Sequence, residues 1–227
     1  MSNKTKKKDF VEIKYTGYAN GDIFDSNVEE DLKKIDPKAT PKKTVVIVGE
    51  DMIVRGLDEN LEDKEIGKEY KIEFGSDKGF GDRKKELIKT VPLKAFTEKN
   101  VRPAPGMVFN VDGALVRIVS VSGGRVLADF NNPLAGKNFE YKFKIERIVT
   151  DEKEKVESVF SSLFRMIPQF DIEEKKVIVK GPKGLEGFVT AFKERFKELI
   201  GKELEFKEMT KEELDKDLKR MSEEKDN

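Results

Sequence analysis

Apolar and polar residues alternate in several short stretches of the first half of the chain, which is the pattern of β-strands with one buried face. The first stretch runs from Val11 to Tyr15 and is followed by Asn20-Gly21. Because both central positions of a two-residue hairpin turn need a positive φ, Asn-Gly predicts a β-hairpin here. The pattern then predicts a surface loop or short helix, a strand, a short helix ending in a turn, and another strand, at residues 28–43, 44–48, 53–67 and 70–74.

The pattern changes near residue 86, where short apolar segments and glycine turns follow one another closely. Asp-Gly at 112–113 and Gly-Gly at 123–124 separate three predicted strands, at 107–111, 115–121 and 125–130. The middle strand is apolar on both faces, with Leu115, Val119 and Val121 on one face and Val116 and Ile118 on the other. Such a strand is either central in a sandwich or partly exposed for a client. A module this small buries little apolar surface, so we expect it to depend on its host domain.

A further strand is predicted at residues 138–149, where four apolar residues alternate on one face. They are Phe139, Tyr141, Phe143 and Ile145. This strand could complete the first sheet. The small β-module would then be an insertion in the first domain, not a sequential neighbour.

After residue 150 the apolar spacing becomes helical. The predicted elements are helix, strand, helix, strand and helix, at 156–167, 176–180, 185–200, 204–206 and from 210 onward. Pro168 stops the first helix, and Phe188 belongs to the apolar face of the second. Thr210 and Glu213 have the spacing of a capping box, which predicts the last, polar helix. The aromatic residues of this α+β region are interpreted as its own core or as a face for a second copy or a client.

Composition removes several classes of chemistry. The 227 residues contain no Cys and no His, which excludes disulfides, thiolate nucleophiles, Ser-His-Asp catalysis and ordinary zinc sites. Lys+Arg and Asp+Glu are both 45, so the net charge of zero argues against a general nucleic-acid binder. No apolar run is long enough to cross a membrane, and the basic N-terminus lacks the apolar region of a secretory signal. We therefore expect a cytoplasmic protein without metal or cofactor.

Four stretches together resemble the FKBP-type peptidyl-prolyl cis–trans isomerases. They are VEIKYTGYANGDIFDSN, GEDMIVRGLDENL, SDKGFGDRKKELIKTVPLKAF and NNPLAGKNFEYKFKIERI, at 11–27, 49–61, 76–96 and 131–148. The segment between the last two resembles the insert-in-flap domain of SlyD-like members, and the C-terminal extension resembles that of long archaeal members. The resemblance implies an α+β fold with an FKBP-like antiparallel sheet and short helix (1–85 and 136–150), an inserted β-domain (86–135) and a C-terminal α+β domain (151–227).

The resemblance also implies an active site, an apolar bowl that binds the prolyl bond. The residues carried over as catalytic are Tyr15, Asp25, Phe80 and Tyr141, and those carried over as substrate-binding are Phe24, Ile53, Val54, Leu57 and Leu134. Three depart from the usual family pattern: Leu57 replaces a tryptophan, Phe80 a tyrosine and Tyr141 a phenylalanine. We expect these changes to alter substrate preference without abolishing isomerisation. Tyr18 lies outside this set and is predicted to pack in the core.

The favoured function is an isomerase for Xaa-Pro bonds in folding polypeptides, with chaperone activity from the inserted domain. An alternative is a client-binding chaperone or assembly adaptor whose bowl is vestigial, which the changes at Phe80 and Leu57 favour. A ribosome-linked factor that uses the N-terminal lysines is a third hypothesis. The expected partners are unfolded or partly folded proline-containing chains, with no nucleic acid and no membrane, and the C-terminal domain could form a homodimer.

Overall fold

The computed structural model describes residues 3–111, 113–210 and 212–213, and it has the α+β architecture that was expected. The strands are β1 (Phe10–Ala19), β2 (Asp22–Ser26), β3 (Thr44–Ile47), β4 (Glu69–Phe74), β5 (Ile88–Pro92), β6 (Val108–Val111), β7 (Ala114–Ser122), β8 (Arg125–Asp129), β9 (Phe139–Ile148), β10 (Gln169–Ile172), β11 (Lys176–Gly181) and β12 (Glu203–Glu208). The helices are α1 (Glu29–Ile35), α2 (Arg55–Asp58), α3 (Lys94–Thr97), α4 (Glu152–Phe164) and α5 (Glu186–Ile200).

The first sheet is antiparallel and has the strand order β2-β1-β9-β4, with β3 paired to the start of β1. The predicted hairpin joins β1 to β2, since Asn20 and Gly21 have φ values of 51° and 92°. Strand β9 pairs with both β1 and β4, so the chain returns to the middle of this sheet after the four strands of another sheet. The four residues predicted to share one face of β9 are all buried.

The inserted segment forms a second antiparallel sheet, with the strand order β5-β8-β7-β6. Strand β5 was not predicted, and Asp112 of the first predicted turn lies outside the described residues. The prediction that Val121 shares a face with Leu115 and Val119 was wrong. A bulge between Ile118 and Ser120 shifts the register, so Val121 packs on the small core while the other two stay exposed.

The two chain segments that enter and leave this second sheet are hydrogen-bonded to each other. Buried Asn131 accepts a bond from the Lys84 amide at 2.8 Å and donates one to the Lys84 carbonyl at 3.0 Å. The Arg83 guanidinium is paired with the Asp129 carboxylate, and the Gly136 amide donates to the Gly81 carbonyl. These bonds fix the neck between the two sheets.

The C-terminal region contains a three-stranded sheet, with the order β10-β11-β12, and the helices α4 and α5. Strand β10 was not predicted. Helix α4 ends at Phe164 because Arg165 is left-handed, so the predicted extension to Ile167 was wrong, and Ile167 is half exposed. Phe188 was also placed wrongly, since it is 61% exposed and Val189 takes the buried position.

The first sheet and the C-terminal region share a hydrophobic core. Phe10 and Ile47 of the first sheet pack in one cluster with Phe160 of α4 and Phe196 of α5. The predicted capping box is present, since Thr210 and Glu213 exchange hydrogen bonds. Residues 212–213 are helical, and the rest of the helix predicted to follow the box lies outside the described residues. Among the residues that the structure describes, no helix is long and apolar enough to cross a membrane.

Candidate active site

A cluster of aromatic rings covers the core-facing side of the first sheet, near the β1–β2 hairpin. Phe24 contacts Tyr141, Phe139 and Phe80 edge to face or nearly so, with ring centroids 5.9, 5.7 and 5.8 Å apart. Tyr15 and Tyr141 have centroids 6.0 Å apart. The cluster arises because inward positions of β1 and β9 lie side by side, with Gly17 opposite Tyr141 in the register.

The polar group at the edge of this cluster is the carboxylate of Asp25. The Tyr15 hydroxyl donates a hydrogen bond of 3.0 Å to Asp25 Oδ2. Burial of the ring, followed by the charge of Asp25 and this hydrogen bond, raises the pKa of Tyr15 well above its ordinary value. Tyr15 therefore stays protonated at neutral pH and is a permanent hydrogen-bond donor.

Tyr141 is 2% exposed and lies beneath Phe24. Burial, the charge of Asp25 and the neighbouring Tyr15 raise its pKa, so this phenol is also protonated at neutral pH. No hydrogen bond joins its hydroxyl to another of the described residues. In the described part of the chain, every buried side-chain oxygen or nitrogen has a hydrogen-bond partner. Because the Tyr141 hydroxyl has none, this hydroxyl is in contact with solvent. It is thus a free donor at the base of the cluster.

The segment before α2 supplies the remaining apolar residues, and a buried carboxylate holds it. Asp58 is 3% exposed, and its two oxygens accept the amides of Gly49 and Asp51, each at 3.0 Å. Burial raises the pKa of Asp58 despite these two bonds. Val54 is the N-cap of α2, and its carbonyl accepts the Leu57 amide. Among the described residues, none accepts a hydrogen bond from the Val54 amide.

The structure brings the nine sequence-predicted site residues together in one place. Leu57 and Tyr141 are buried members of the first-sheet core. Tyr15, Phe24, Ile53, Val54 and Leu134 are half buried and pack against that core. Phe80 is 36% exposed and contacts Phe24, and Asp25 is exposed at the end of the Tyr15 hydrogen bond. The half-buried side chains leave an apolar surface that faces solvent.

Two aromatic residues of this cluster were missed by the sequence analysis. Phe74 of β4 stacks on Tyr141 and on Phe139, with centroids 5.6 and 5.7 Å apart. Phe139 also contacts Phe80 at 5.3 Å. The signal for Phe139 was its alternation with Tyr141. The predicted place of Tyr18 in the core was wrong, since it is half buried outside the core clusters, with Lys142 Nζ 5.2 Å from its ring centre.

Three glycines allow the rings to approach the backbone, and they were also missed. A Cβ at Gly17 would lie 2.9 Å from the Tyr141 ring and 3.0 Å from Phe24. A Cβ at Gly56 would lie 2.5 Å from Phe74, and one at Gly79 would lie 2.4 Å from Phe139. Each distance is shorter than van der Waals contact allows, so these positions shape the cluster. Within the described ranges no group of three Asp or Glu side chains is arranged to hold a metal ion.

Comparisons with known proteins identify similar families and relatives. A family model described as FKBP-type peptidyl-prolyl cis-trans isomerase matches residues 2–111, and a model described as FKBP26, IF domain, matches residues 89–134. A short-type peptidyl-prolyl cis-trans isomerase of Methanocaldococcus jannaschii is 29% identical over 157 residues, which cover 68% of this chain and all of that protein. An FKBP-type isomerase SlyD of Treponema pallidum is 31% identical over 112 residues, 47% of this chain and 63% of that protein.

Proposed function

Because the chain belongs to the FKBP-type peptidyl-prolyl cis–trans isomerases and carries an IF domain, we propose that its aromatic cluster is the surface on which an Xaa-Pro bond is rotated. The chain is an isomerase by family, and the substrates of this class are proline-containing polypeptides. The observation that carries the proposal is the Tyr15–Asp25 hydrogen bond beside a half-buried apolar surface.

Rotation of a prolyl bond needs no nucleophile. The barrier of about 18–20 kcal/mol comes from the amide resonance that is lost when the bond twists. Uncatalysed exchange takes about 10–100 s, so exchange in about a millisecond requires roughly 5.5–7 kcal/mol of transition-state stabilisation. The planar amide is more dipolar than the twisted one. An apolar site that excludes water therefore favours the twisted form relative to the planar form.

In this proposal the apolar residues supply shape and dryness. Phe24 and Phe80 form one side of the bowl, Ile53 and Leu134 contribute aliphatic surface, and Leu57 lies beneath them as a closed base. Leucine there leaves more room than tryptophan would, and Phe80 offers no hydroxyl. Both changes make the bowl more purely apolar.

The polar groups orient the substrate. Asp25 holds the Tyr15 hydroxyl in place and sets the local electric field, without exchanging a proton. The free amide of Val54 donates to a substrate carbonyl. The hydroxyl of Tyr141 is a second free donor, and it offers a hydrogen bond that the phenylalanine at position 80 does not.

The inserted sheet is proposed to capture unfolded clients. Residues 86–135 form this unit, and residues 1–85 with 136–150 form the isomerase unit. Five large apolar side chains of the insert are more than 40% exposed, namely Met107, Val108, Val111, Leu115 and Val119. They lie on β6, β7 or next to them, and an exposed apolar surface of this kind is typical of a client-binding site. Because the neck fixes the insert to the bowl, captured clients would be held near the site of rotation.

Replacement of Leu115 and Val119 by aspartate tests the role of the insert. Both side chains point away from the small core, so the sheet should keep its fold. We expect unchanged exchange of a prolyl tetrapeptide and at least tenfold slower proline-limited refolding of a protein substrate. Equal rates of refolding for the variant and the parent chain would remove the insert from the proposal. If the parent chain does not accelerate exchange of the tetrapeptide, the result favours the alternative of a client-binding protein whose bowl is vestigial.

The C-terminal unit, residues 151–227, is proposed to offer a surface for a second copy. Phe188 is 61% exposed, and Met166 is 50% exposed. Light scattering of the parent chain and of Phe188→Asp tests this: a dimer that the variant converts to a monomer supports the proposal, and a monomeric parent chain rejects it.

A further inference from the structure

A concave surface lies between β3 and α4, where the first sheet meets the C-terminal region. It encloses about 620 Å³. Its walls include Thr44 and Val45 of β3, Ser158 and Ser162 of α4, and Arg165 just beyond α4. Lys43 Nζ lies 2.7 Å from Glu154 Oε1, and both residues line this groove, so an ion pair links its two walls. Arg147 also binds Glu154, which fixes α4 against the first sheet.

The groove adjoins the proposed bowl at Ile53. Ile53 packs with the bowl residues and also lines the groove. Its neighbour Met52 contacts both the first-sheet core and the core shared with the C-terminal region. A polypeptide that leaves the bowl past Ile53 would therefore reach the groove next.

The free edge of β3 carries unpaired backbone groups. Next to the antiparallel pairing of β1 with β3, the Val48 amide donates to the Asp9 carbonyl. Because alternate residues of a strand direct their backbone groups to the same side, residues 46 and 44 also form hydrogen bonds with β1. Residues 47 and 45 then face the other way, as the bond from the Ile47 amide to Met52 Sδ shows. The amide and carbonyl of Val45 face away from β1, and neither has a hydrogen-bond partner in the described part of the chain. Val45 itself lines the groove.

We propose that this groove binds the extended polypeptide that flanks the proline of a bound substrate, and that Val45 pairs with it as one strand residue pairs with another. The inference rests on the proposed function of the bowl. An extended chain suits the site because unpaired strand edges are common docking points for peptides. The four residues of β3 span about 13 Å, which matches about four residues of substrate. The Ser162 hydroxyl on the opposite wall is available to a substrate backbone, since it makes no hydrogen bond within the described chain.

The test compares three substrates with the full-length protein. One is a prolyl tetrapeptide, and the other two carry four additional residues of alternating threonine and valine, placed either before or after it. We expect one of the two longer peptides to have about tenfold higher kcat/KM than the tetrapeptide. In Ser162→Trp, whose indole would fill the groove, the ratio of long to short peptide should fall to about one. Lys153→Trp is the matched control, because Lys153 is on α4 outside the groove, and it should keep the ratio.

A second measurement does not depend on the variants. In a titration of the ¹⁵N-labelled parent chain, the amide resonance of Val45 should shift with the favoured long peptide and not with the tetrapeptide. Each of three results would overturn the proposal that the groove binds substrate. They are equal kcat/KM for all three peptides, an unchanged ratio of long to short peptide in Ser162→Trp, and a Val45 resonance that does not shift. Loss of tetrapeptide turnover in the parent chain would instead reject the proposed function, and the titration would still decide on the groove.

Discussion

The bond between Tyr15 and Asp25 offers the sharpest test of how the site works. The donor and acceptor atoms are 3.0 Å apart, and the phenol ring is half buried while the carboxylate is exposed. A hydrogen bond to a charged group contributes about 1.5–3 kcal/mol, and the exposure of Asp25 places this one toward the lower end. If the bond orients Tyr15 in the transition state, Tyr15→Phe should lose about 1.4–2.7 kcal/mol, which is a ten- to hundred-fold decrease in kcat/KM.

Asp25→Asn keeps an oxygen that can accept from Tyr15 but removes the charge, and we expect a decrease in the same range. Because both residues act through one bond, the decrease in kcat/KM of the double variant should be clearly smaller than the product of the decreases in the two single variants. The assay is cis–trans exchange of a prolyl tetrapeptide. Tyr18→Phe, on the same strand but outside the cluster, is the matched control and should be fully active. Fully multiplicative effects, or an Asp25→Asn protein with parental rates, would refute the reasoning.

Three further predictions follow from particular contacts. Gly17→Ala places a Cβ within 3.0 Å of Tyr141 and Phe24, so it should lower both stability, by about 1–3 kcal/mol in chemical denaturation, and tetrapeptide turnover. The pKa of Tyr141 is raised in the folded state, so above about pH 10 this phenol ionises in the unfolded chain before it does so in the folded protein. The contribution of Tyr141 to stability is therefore complete below about pH 10 and is lost as the pH rises further. Tyr141→Phe should therefore reduce the fall in unfolding free energy above pH 10 by about 1.4 kcal/mol per pH unit, and an unchanged slope would contradict this. Asn131→Ala breaks two bonds to Lys84 at the neck, so it should slow catalysed protein refolding while leaving tetrapeptide exchange intact.

The strands that carry the site could be predicted because their side chains alternate. The period of two identified β1 and β9, and the Asn-Gly pair identified the turn that brings Phe24 back toward β1. The match to family motifs then identified nine residues whose side chains the structure brings together. Helix periodicity identified α4 and α5 for the same reason, since each has a continuous apolar face.

What could not be predicted depends on contacts between distant segments. The bulge after Ile118 moves Val121 to the core face, and no local pattern marks a bulge. Phe188 and Val189 are adjacent apolar residues at the start of a helix, so periodicity alone does not say which of them is buried. The need for glycine at positions 17, 56 and 79 arises from rings on other strands, and a single sequence carries no sign of it. Strand β10 has four residues directly after Pro168, too few to show a period.

The central claim is that the aromatic cluster of the first sheet itself accelerates rotation of a prolyl bond. Its most direct test is magnetisation-exchange NMR of a prolyl tetrapeptide in the presence of the full-length protein and of Tyr15→Phe. The account predicts exchange in milliseconds with the parent chain, about 10⁴–10⁵-fold faster than the uncatalysed rate, and a ten- to hundred-fold loss in the variant. Exchange that stays at tens of seconds with the parent chain, or that is equally fast in both proteins, would contradict it.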